Sequence, residues 1–462
     1  MMRSLAFAAS AIALAVAAPV AAQDMTITNA TVAIGDGSEP VAGGTVVVRG
    51  GRVVYAGPAS GAPAGGGTAI DAGGGWVTPG IFAAITTLGL SDVDAVEESN
   101  DTNANGSPFS AALDVAPALN PMAQPVAIAR TGGVTRASVT GYPAGSIFAG
   151  QGALVDLGSD AQMVTRPRAF QMVALGEAGA RLAGGSRTAA HAMLRNALRE
   201  AGQYGDDSPV VGRAARLDRN RTGDDLPLDP RVLDYETERG SDTMLTRFDA
   251  AALVPVVQGD QPLYVLVERA ADIRQVLALP REFPDLNLVL VGASEGWMVA
   301  DEIARSGVPV IADALDDLPS SFEQIAATQS NVGRMLAAGV TVAIGGLNGG
   351  TDGQPRTATQ FAGNLVALGK VPSAAGLSWG QAFATISSTP AAIAGYGGRM
   401  GVLAPGAMGD VVVWDGDPLE VSSAPTRVFI DGVEQPLDNH QSRLKDRCRD
   451  LDESDLPKAY DW

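Results

Sequence analysis

The sequence predicts an α/β protein in which a barrel of parallel strands is flanked by a small antiparallel β unit. Apolar strand-like runs alternate with helix-like stretches through the middle of the chain, and this alternation is typical of parallel βα units. Short strands separated by glycine-containing turns stand near both ends, at 25–56 and at 410–432. We therefore expect the two ends of the chain to pair into one β-sandwich beside the barrel.

The N-terminal part of the β unit is predicted to contain four short strands. Gly35 and Gly37 lie in one connection and Gly50-Gly51 in the next, and glycine supplies the positive φ that tight hairpin turns require. The C-terminal part repeats this pattern with two strands. The predicted strands occupy 25–28, 31–34, 45–49, 52–56, 410–414 and 427–432.

The barrel prediction depends on four apolar runs in the second half of the chain, two of which continue into helix-like periodicity. Four strands at this spacing favour a barrel. Residues 213–247 are rich in Arg and Asp and are predicted to form a solvated connection. The predicted strands lie at 262–267, 286–291, 308–312 and 340–344, with helices near 271–277 and 298–304.

Composition and charge exclude several classes of protein. The chain has 462 residues, 46% of them apolar and 18% charged, which excludes a disordered chain and leaves ample material for a core. Lys and Arg number 32 against 51 Asp and Glu, so the formal charge is −19. Such an acidic surface repels phosphate backbones and anionic lipid, so we expect no binding to nucleic acid or to a membrane surface.

The first residues predict export. Arg3 precedes an apolar run at 5–18, and small residues continue to Ala22, where a signal peptidase would cut. The run is shorter than the roughly 20 residues that span a bilayer, so we expect no integral membrane segment once the signal is removed. The predicted location is periplasmic or secreted. Cys448 is the single cysteine, so the fold has no internal disulfide.

Two separated motifs stand at the two junctions between the β unit and the barrel. Residues 76–80 (WVTPG) precede the first predicted barrel strand, and residues 401–419 (GVLAPGAMGDVVVWDGDPL) follow the barrel, together with the helix entry SSTPA at 387–391. These motifs resemble those of the amidohydrolase superfamily, and most closely its imidazolonepropionase-like branch. The resemblance implies a (β/α)8 TIM barrel with a composite β-sandwich formed from the N- and C-terminal segments. It divides the chain into a signal peptide at 1–22, a sandwich at 23–78 and 399–436, a barrel at 79–398 and a polar tail at 437–462.

The same resemblance implies a metal site that this chain does not reproduce. The family holds a divalent metal with a His-x-His pair on strand one, a carboxylated Lys or Glu on strand four, His on strands five and six, and Asp on strand eight. The matching positions here, called the lost-ligand positions below, carry Ile85, Thr87, Leu266 and Leu347. Residues 291–295 contain no His on the sixth strand.

The small numbers of histidines and lysines show that the family's metal ligands are missing at every position. The two histidines of the chain are His191 and His440, and no Lys precedes Lys370, so Glu177 is the conceivable substitute on strand four. We therefore predict no metal and no cofactor. Carboxylates such as Glu295, Asp313, Asp316 and Asp317 could hold a hard cation, although solvated loop residues are the commoner explanation for them.

A serine-hydrolase motif offers a different chemistry. Residues 292–296 read GASEG, which matches G-x-S-x-G between a predicted strand and a predicted helix. His440 follows Ser294 in the required order, with Asp410, Asp415 and Asp417 between them. Against this, His440 belongs to the polar tail, and any βα junction favours a glycine-rich turn. The weak catalytic candidates are Ser294, Glu295 and Asp313.

Two functions remain. The first is an exported protein with a degenerate metal site, a pseudoenzyme that binds a small-molecule ligand at an apolar barrel mouth or associates with a homologous subunit. The second is a hydrolase of non-peptide carbon-nitrogen bonds that works by a metal-independent route, with Ser294 as the less favoured nucleophile. Fold alone does not decide between them, because function resides in the site.

Overall fold

A computed structural model describes residues 22–93, 95–206, 244–347 and 353–449 of the chain. The predicted signal peptide and nearly all of the 213–247 connection lie outside these residues. In the part that is described, no helix is both long and apolar enough to cross a membrane. The described residues build two eight-stranded sheets, one of them curved into a barrel.

The first sheet joins the two ends of the chain, as the sequence predicts. Its strand order is β16-β15-β14-β5-β1-β2-β3, and β4 also pairs with β1. The junction is antiparallel, with Val411 of β14 opposite Pro79 of β5. The strands are β1 (Met25–Val32), β2 (Val41–Arg49), β3 (Arg52–Pro58), β4 (Thr68–Asp71), β5 (Trp76–Pro79), β14 (Val411–Trp414), β15 (Pro425–Ile430) and β16 (Val433–Glu434).

The first sheet is held by its own apolar core. The side chains of Ile27, Val46, Val77 and Phe429 are buried together in this core. Alternate residues of a strand face the same side, so the valine-rich strands supply one continuous apolar surface. The two predicted strands at 25–28 and 31–34 form a single strand, β1, which contains bulges where the pairing register shifts.

The second sheet is the barrel, and it confirms the predicted α/β barrel class. Its order is β13-β12-β11-β10-β9-β8-β7-β6. The strands are β6 (Ile81–Thr86), β7 (Val134–Val139), β8 (Phe148–Asp156), β9 (Val164–Ala174), β10 (Leu263–Val267), β11 (Leu288–Gly292), β12 (Val310–Ala312) and β13 (Val342–Ile344).

Helices cover the outer face of this sheet. Buried residues at helical spacing, such as Leu194 and Leu198, pack against the outward-facing strand residues. The helices are α1 (Gln124–Thr131), α2 (Gly176–Leu182), α3 (Arg187–Asp206), α4 (Arg247–Val257), α5 (Ala270–Leu277), α6 (Ala300–Ser306), α7 (Asn331–Ala337), α8 (Ala358–Leu368), α9 (Trp379–Ala384), α10 (Ser388–Ile393) and α11 (His440–Arg449).

One barrel strand runs against the others. β8 pairs antiparallel with both β7 and β9, whereas the other neighbouring pairs of this sheet are parallel. The connections at 140–147 and 157–163 are short and contain no described helix, as expected of antiparallel neighbours. The expected succession of parallel βα units is therefore interrupted on this side of the barrel.

Two backbone hydrogen bonds close the barrel between its first and last strands. The Ile344 amide of β13 donates to the Thr385 carbonyl over 3.0 Å, and the Phe82 amide of β6 donates to the Ile386 carbonyl over 3.0 Å. Residues 385–386 thus fill the gap between β13 and β6. We refer to this connection as the seam.

Candidate functional site

Three of the four lost-ligand positions lie together inside the barrel. Ile85, Leu266 and Leu347 belong to one hydrophobic cluster and are 1%, 8% and 3% exposed. The cluster also contains Tyr264, whose ring stacks on Phe170 with centroids 4.2 Å apart. Aliphatic side chains have no lone pairs to offer a metal. The donor chemistry at these positions therefore does not fit the ion that the fold family uses.

The fourth lost-ligand position faces a different space. Thr87 lies beyond the end of β6 and lines a cleft formed with Ile128 of α1 and with Gln354 and Arg356. Its hydroxyl could accept or donate one hydrogen bond, but it stands apart from the apolar cluster that contains the other three positions. Arg356 in this cleft donates to the Gln354 side chain over 3.2 Å, and we assign the cleft no chemistry.

The GASEG turn lies where β11 ends, and its backbone is constrained. Gly292 has φ +89° and Ala293 has φ +51°, a region that side-chain-bearing residues rarely adopt. A Cβ added to Gly292 would collide with the carboxylate of Glu268. Ser294 itself is 2% exposed. The strained residue is thus the one before the serine, and the serine points into the protein.

Ser294 is the centre of a polar cluster at the carboxyl ends of the barrel strands. Its Oγ donates to Glu268 Oε2 over 2.7 Å, and its backbone amide donates to the same oxygen over 2.9 Å. Oγ also lies 3.1 Å from Asp316 Oδ2 and accepts from Gln324 Nε2 over 3.1 Å. Glu268 follows β10, whereas Asp316 and Gln324 lie in the long connection between β12 and α7.

Glu268 is a buried carboxyl group with an altered pKa. Burial raises its pKa to about 7, and the two hydrogen bonds from Ser294 oppose that rise. The negative charges of Asp316 and Glu323 raise it further. A carboxyl group with a pKa near neutrality can exchange a proton under ordinary conditions, which is the property of a general acid or base.

A second group of charges surrounds Arg187 beside this cluster. Its guanidinium lies 2.9 Å from Asp272, 3.2 Å from Glu323 and 3.6 Å from Glu177. Glu323 Oε2 also accepts from the Glu177 amide over 2.6 Å. Burial raises the pKa of Glu323, while that amide and Arg187 oppose the rise. Glu177, the conceivable strand-four substitute, belongs to α2, where it takes part in this ion-pair network.

The structure also locates the other carboxylates considered from the sequence. Glu295 accepts from the Ala270 amide over 3.0 Å and from the Ala326 amide over 3.3 Å, so its two oxygens bind backbone. Asp313 follows β12 and packs against Gly346, where a Cβ would collide with the Asp313 carboxylate. Asp317 is exposed. Among the described residues, no group of three His, Cys, Asp or Glu side chains could hold a metal ion.

The residues proposed for a serine-hydrolase triad are not brought to Ser294. His440 begins α11 and is exposed, and the preceding Asn439 lies 3.4 Å from Thr131 at the C-terminal end of α1. The chain enters β7 directly after Thr131, so this contact marks the amino ends of the strands. Ser294 lies at their carboxyl ends. The imidazole and the hydroxyl therefore stand at opposite ends of the barrel.

The three acids considered for that triad have structural partners. Asp410 accepts two hydrogen bonds from Arg136, and Asp417 accepts from the Trp379 indole over 2.9 Å. Asp415 accepts from the Ala424 amide over 2.8 Å and so shapes the turn after β14. None of these described contacts leads to Ser294.

Sequence reasoning missed Glu268. It stands directly after an apolar strand, where a charged residue is ordinary, and the residues that bury it are 26 and 48 positions away along the chain. The available signal was its position two residues beyond Leu266. Because side chains alternate along a strand, that spacing places Glu268 on the same inner face as a lost-ligand position.

Comparisons with known proteins support the fold. Residues 263–434 match the model of the amidohydrolase family. A 60-residue stretch is 45% identical to amidohydrolase tasK of Hapsidospora irregularis, covering 13% of this chain and 6% of that protein. The chain thus matches only a small fraction of that relative's length.

Two solved structures extend the likeness to most of the chain. An amidohydrolase from Thermotoga maritima MSB8 is similar with a TM-score of 0.71 and 22% identity, over 89% of this chain and 99% of that one. Molinate hydrolase is similar with a TM-score of 0.51 and 17% identity, over 90% of this chain and 95% of that one. At these identities the likeness shows a shared barrel fold.

Proposed function

We propose that this chain is an amidohydrolase-type protein that has lost metal-dependent hydrolysis. It acts as a pseudoenzyme, by binding another molecule. The supporting observation is the apolar cluster that contains Ile85, Leu266 and Leu347. In the family that the sequence resembles, these positions carry the ligands of a hydrated ion. Here they are buried aliphatic side chains in one hydrophobic cluster, which offers no donor atoms to such an ion.

The packing of these three positions favours a partner protein over a small ligand within the barrel. A ligand pocket at this level would need open volume lined by the cluster, and all three side chains are at most 8% exposed. Association with a homologous subunit is therefore the form of binding that we propose. Co-purification from the native host tests it, and elution of the chain alone at the monomer mass would count against it.

Metal analysis tests the loss of the metal site directly. We expect the purified protein to retain well under one equivalent of zinc, iron or manganese after dialysis. We also expect its thermal unfolding midpoint to be unchanged by added zinc. Retention of one equivalent or more would overturn the proposal, whatever the substrate.

The second candidate is a metal-independent hydrolase of carbon-nitrogen bonds. The observation that favours it is the 2.7 Å hydrogen bond between Ser294 Oγ and Glu268, whose raised pKa suits a general base. A fluorophosphonate probe distinguishes the two functions. Labelling that is lost in Ser294→Ala and kept in Ser306→Ala, a serine on α6, would establish this candidate; absence of labelling favours the pseudoenzyme.

We also propose that the protein is exported and that its signal peptide is removed. The apolar run at 5–18 and the small residues that end at Ala22 support it. N-terminal sequencing of the protein from its native host should begin at Gln23. A mature protein that still begins at Met1 would contradict export by this signal.

A further inference from the structure

The connection between β12 and α7, residues 313–330, lies across the carboxyl ends of three barrel strands. Asp316 and Gln324 contact Ser294 beyond β11, and Glu323 contacts the first turn of α2 beyond β9. Farther along, the Trp297 indole donates to the Ala326 carbonyl over 2.9 Å. We call this segment the mouth loop. It covers Glu268 and Ser294; Asp316 holds its first half to Ser294, and Gln324 holds the start of its second half.

The contacts around Ser294 Oγ require more hydrogen atoms than the surrounding groups supply when both carboxylates are ionised. Its hydroxyl carries one hydrogen, and the Gln324 amide contributes hydrogens of its own, one to Oγ over 3.1 Å and one to Asp316 Oδ2 over 3.4 Å. Two carboxylate oxygens, Glu268 Oε2 at 2.7 Å and Asp316 Oδ2 at 3.1 Å, then face the single hydrogen of Oγ. When both carboxylates are ionised, one of these two contacts lacks a hydrogen.

One additional proton resolves the shortage. With a proton on Glu268, its O–H donates to Ser294 Oγ, and the Ser294 hydroxyl donates onward to Asp316. Every short contact in the chain of three groups then contains one hydrogen. We propose that this shared proton holds the first half of the mouth loop over the barrel, and that its loss releases residues 314–322, while Glu323 stays paired with Arg187 and with the Glu177 amide.

The surroundings of Glu268 favour a proton there. The charged groups that act on it are Asp316 and Glu323, both negative, while Arg187 is engaged with Glu323 and Asp272 and the adjacent Arg269 is engaged with Asp272. A buried carboxylate next to like charges holds its proton more tightly. Burial accordingly raises the pKa of Glu268 to about 7, within the range that a cell compartment can reach.

Loss of the proton changes both hydrogen bonding and charge. The Ser294 hydroxyl turns to Glu268, so Asp316 Oδ2 faces lone pairs across a 3.1 Å contact. Two negative carboxylates then flank one hydroxyl in a poorly solvated space, where like charges repel strongly. The first half of the mouth loop then moves away, and Glu268 and Ser294 become accessible from the barrel mouth. This device does not depend on whether the chain binds a partner or hydrolyses a substrate.

A spin label on the mouth loop measures its release. Leu318 is 81% exposed and lies in the segment that should move, so Leu318→Cys in a Cys448→Ser background accepts a nitroxide. We expect the label to be immobilised at pH 5.5 and at least about twofold more mobile at pH 8.5, with a midpoint near the pKa of Glu268. The matched control is Val421→Cys, which is 80% exposed and lies between β14 and β15 of the first sheet; its label should not respond.

Two neutralising variants identify the groups that share the proton. Asp316→Asn gives Ser294 Oγ a permanent amide donor, so the label should remain immobilised at both pH values. Glu268→Gln removes the titrating group and should also abolish the pH response. Since burial also raises the pKa of Glu323, Glu323→Gln is the discriminating variant, and it should keep the response.

Three results would overturn the proposal. They are equal label mobility at both pH values in the parent protein, a response that survives in Asp316→Asn, and a response that disappears in Glu323→Gln alone. Circular dichroism at each pH establishes that the variants are folded. If Glu268→Gln does not fold, the comparison of Asp316→Asn with Glu323→Gln still decides the outcome.

Discussion

Arg136 on barrel strand β7 donates two hydrogen bonds to Asp410 at the start of β14, over 2.8 Å from Nε and 3.0 Å from Nη2. Both side chains are about 2% exposed. Asp431 lies 2.8 Å from Nη2 as well, and Asp156 lies 3.7 Å from Nη1. The guanidinium thus joins the barrel to the terminal sheet through a bidentate, charge-assisted pair, a geometry that arginine provides and lysine does not.

Loss of Asp410 should destabilise the whole protein. Asp410→Ala leaves the Arg136 guanidinium buried with weaker partners, and removal of one member of a buried pair costs about 3–5 kcal/mol. The free energy of unfolding in urea measures this cost. The control is Glu434→Gln, which breaks the exposed 3.6 Å pair with Arg427 and should cost well under about 1 kcal/mol. Equal costs for the two variants would contradict a structural role for the buried pair.

Stability should fall as the pH rises through the titration of Glu268. Its folded pKa of about 7 lies above the usual value of 4.5, so the unfolded chain releases this proton first. The contribution is complete below pH 4.5 and is lost as the pH rises from 4.5 through 7, which amounts to about 3 kcal/mol. Asp156 acts in the same direction at lower pH, because burial raises its pKa to about 6 in spite of Arg136.

The variant Glu268→Gln separates the contribution of Glu268 to the pH dependence of stability from the contributions of the other titrating groups. The difference in unfolding free energy between the parent and Glu268→Gln should shift against the parent as the pH rises from 5 to 8. Urea denaturation at pH 5, 6, 7 and 8 supplies the difference. A difference that stays constant over this interval would show that Glu268 titrates normally in the folded protein.

Gly292→Ala should be more harmful than an ordinary substitution at a positive φ. Gly292 has φ +89°, and an added methyl group would also collide with the Glu268 carboxylate. Gly307, with φ +71° after α6, has open space around an added Cβ. We expect Gly307→Ala to cost about 1 kcal/mol and Gly292→Ala about 2–4 kcal/mol. Thermal unfolding compares the two, and equal midpoints would mean that the turn adapts around Glu268.

Leu266→Ala tests whether the lost-ligand positions are part of the core. Truncation of a buried leucine costs about 2–5 kcal/mol, depending on how far the surroundings collapse. Leu318→Ala, at an 81% exposed leucine, is the matched control and should change stability by less than about 0.5 kcal/mol. A negligible cost for Leu266→Ala would indicate an open pocket at the barrel mouth instead of packed side chains.

The sequence predicts much of the barrel because its strands are buried on both faces. The runs that become β10 and β11 are stretches of apolar residues, and both strands lie within two residues of the expected bounds. The direction of β8 had no such signal. Its nine residues are almost all buried, and nothing in an apolar run distinguishes a parallel from an antiparallel strand.

The candidate site was predicted less completely for a related reason. Ser294 was recognisable from the GASEG turn, but its partners were not, since Glu268, Asp316 and Gln324 are 22 to 30 residues away along the chain. Their convergence depends on which strand lies beside which and on the path of the mouth loop. The pattern of a single strand contains neither.

The seam at residues 385–386 carries a consequence for how the chain is made. β5 and β6 emerge early from a ribosome, yet their partners on the far side are β14 and the seam, which follow about 300 residues later. Until then the first strands expose unpaired backbone edges, a state that invites aggregation. Folding of the N-terminal quarter therefore awaits completion of the chain, and truncation before residue 414 should yield insoluble protein.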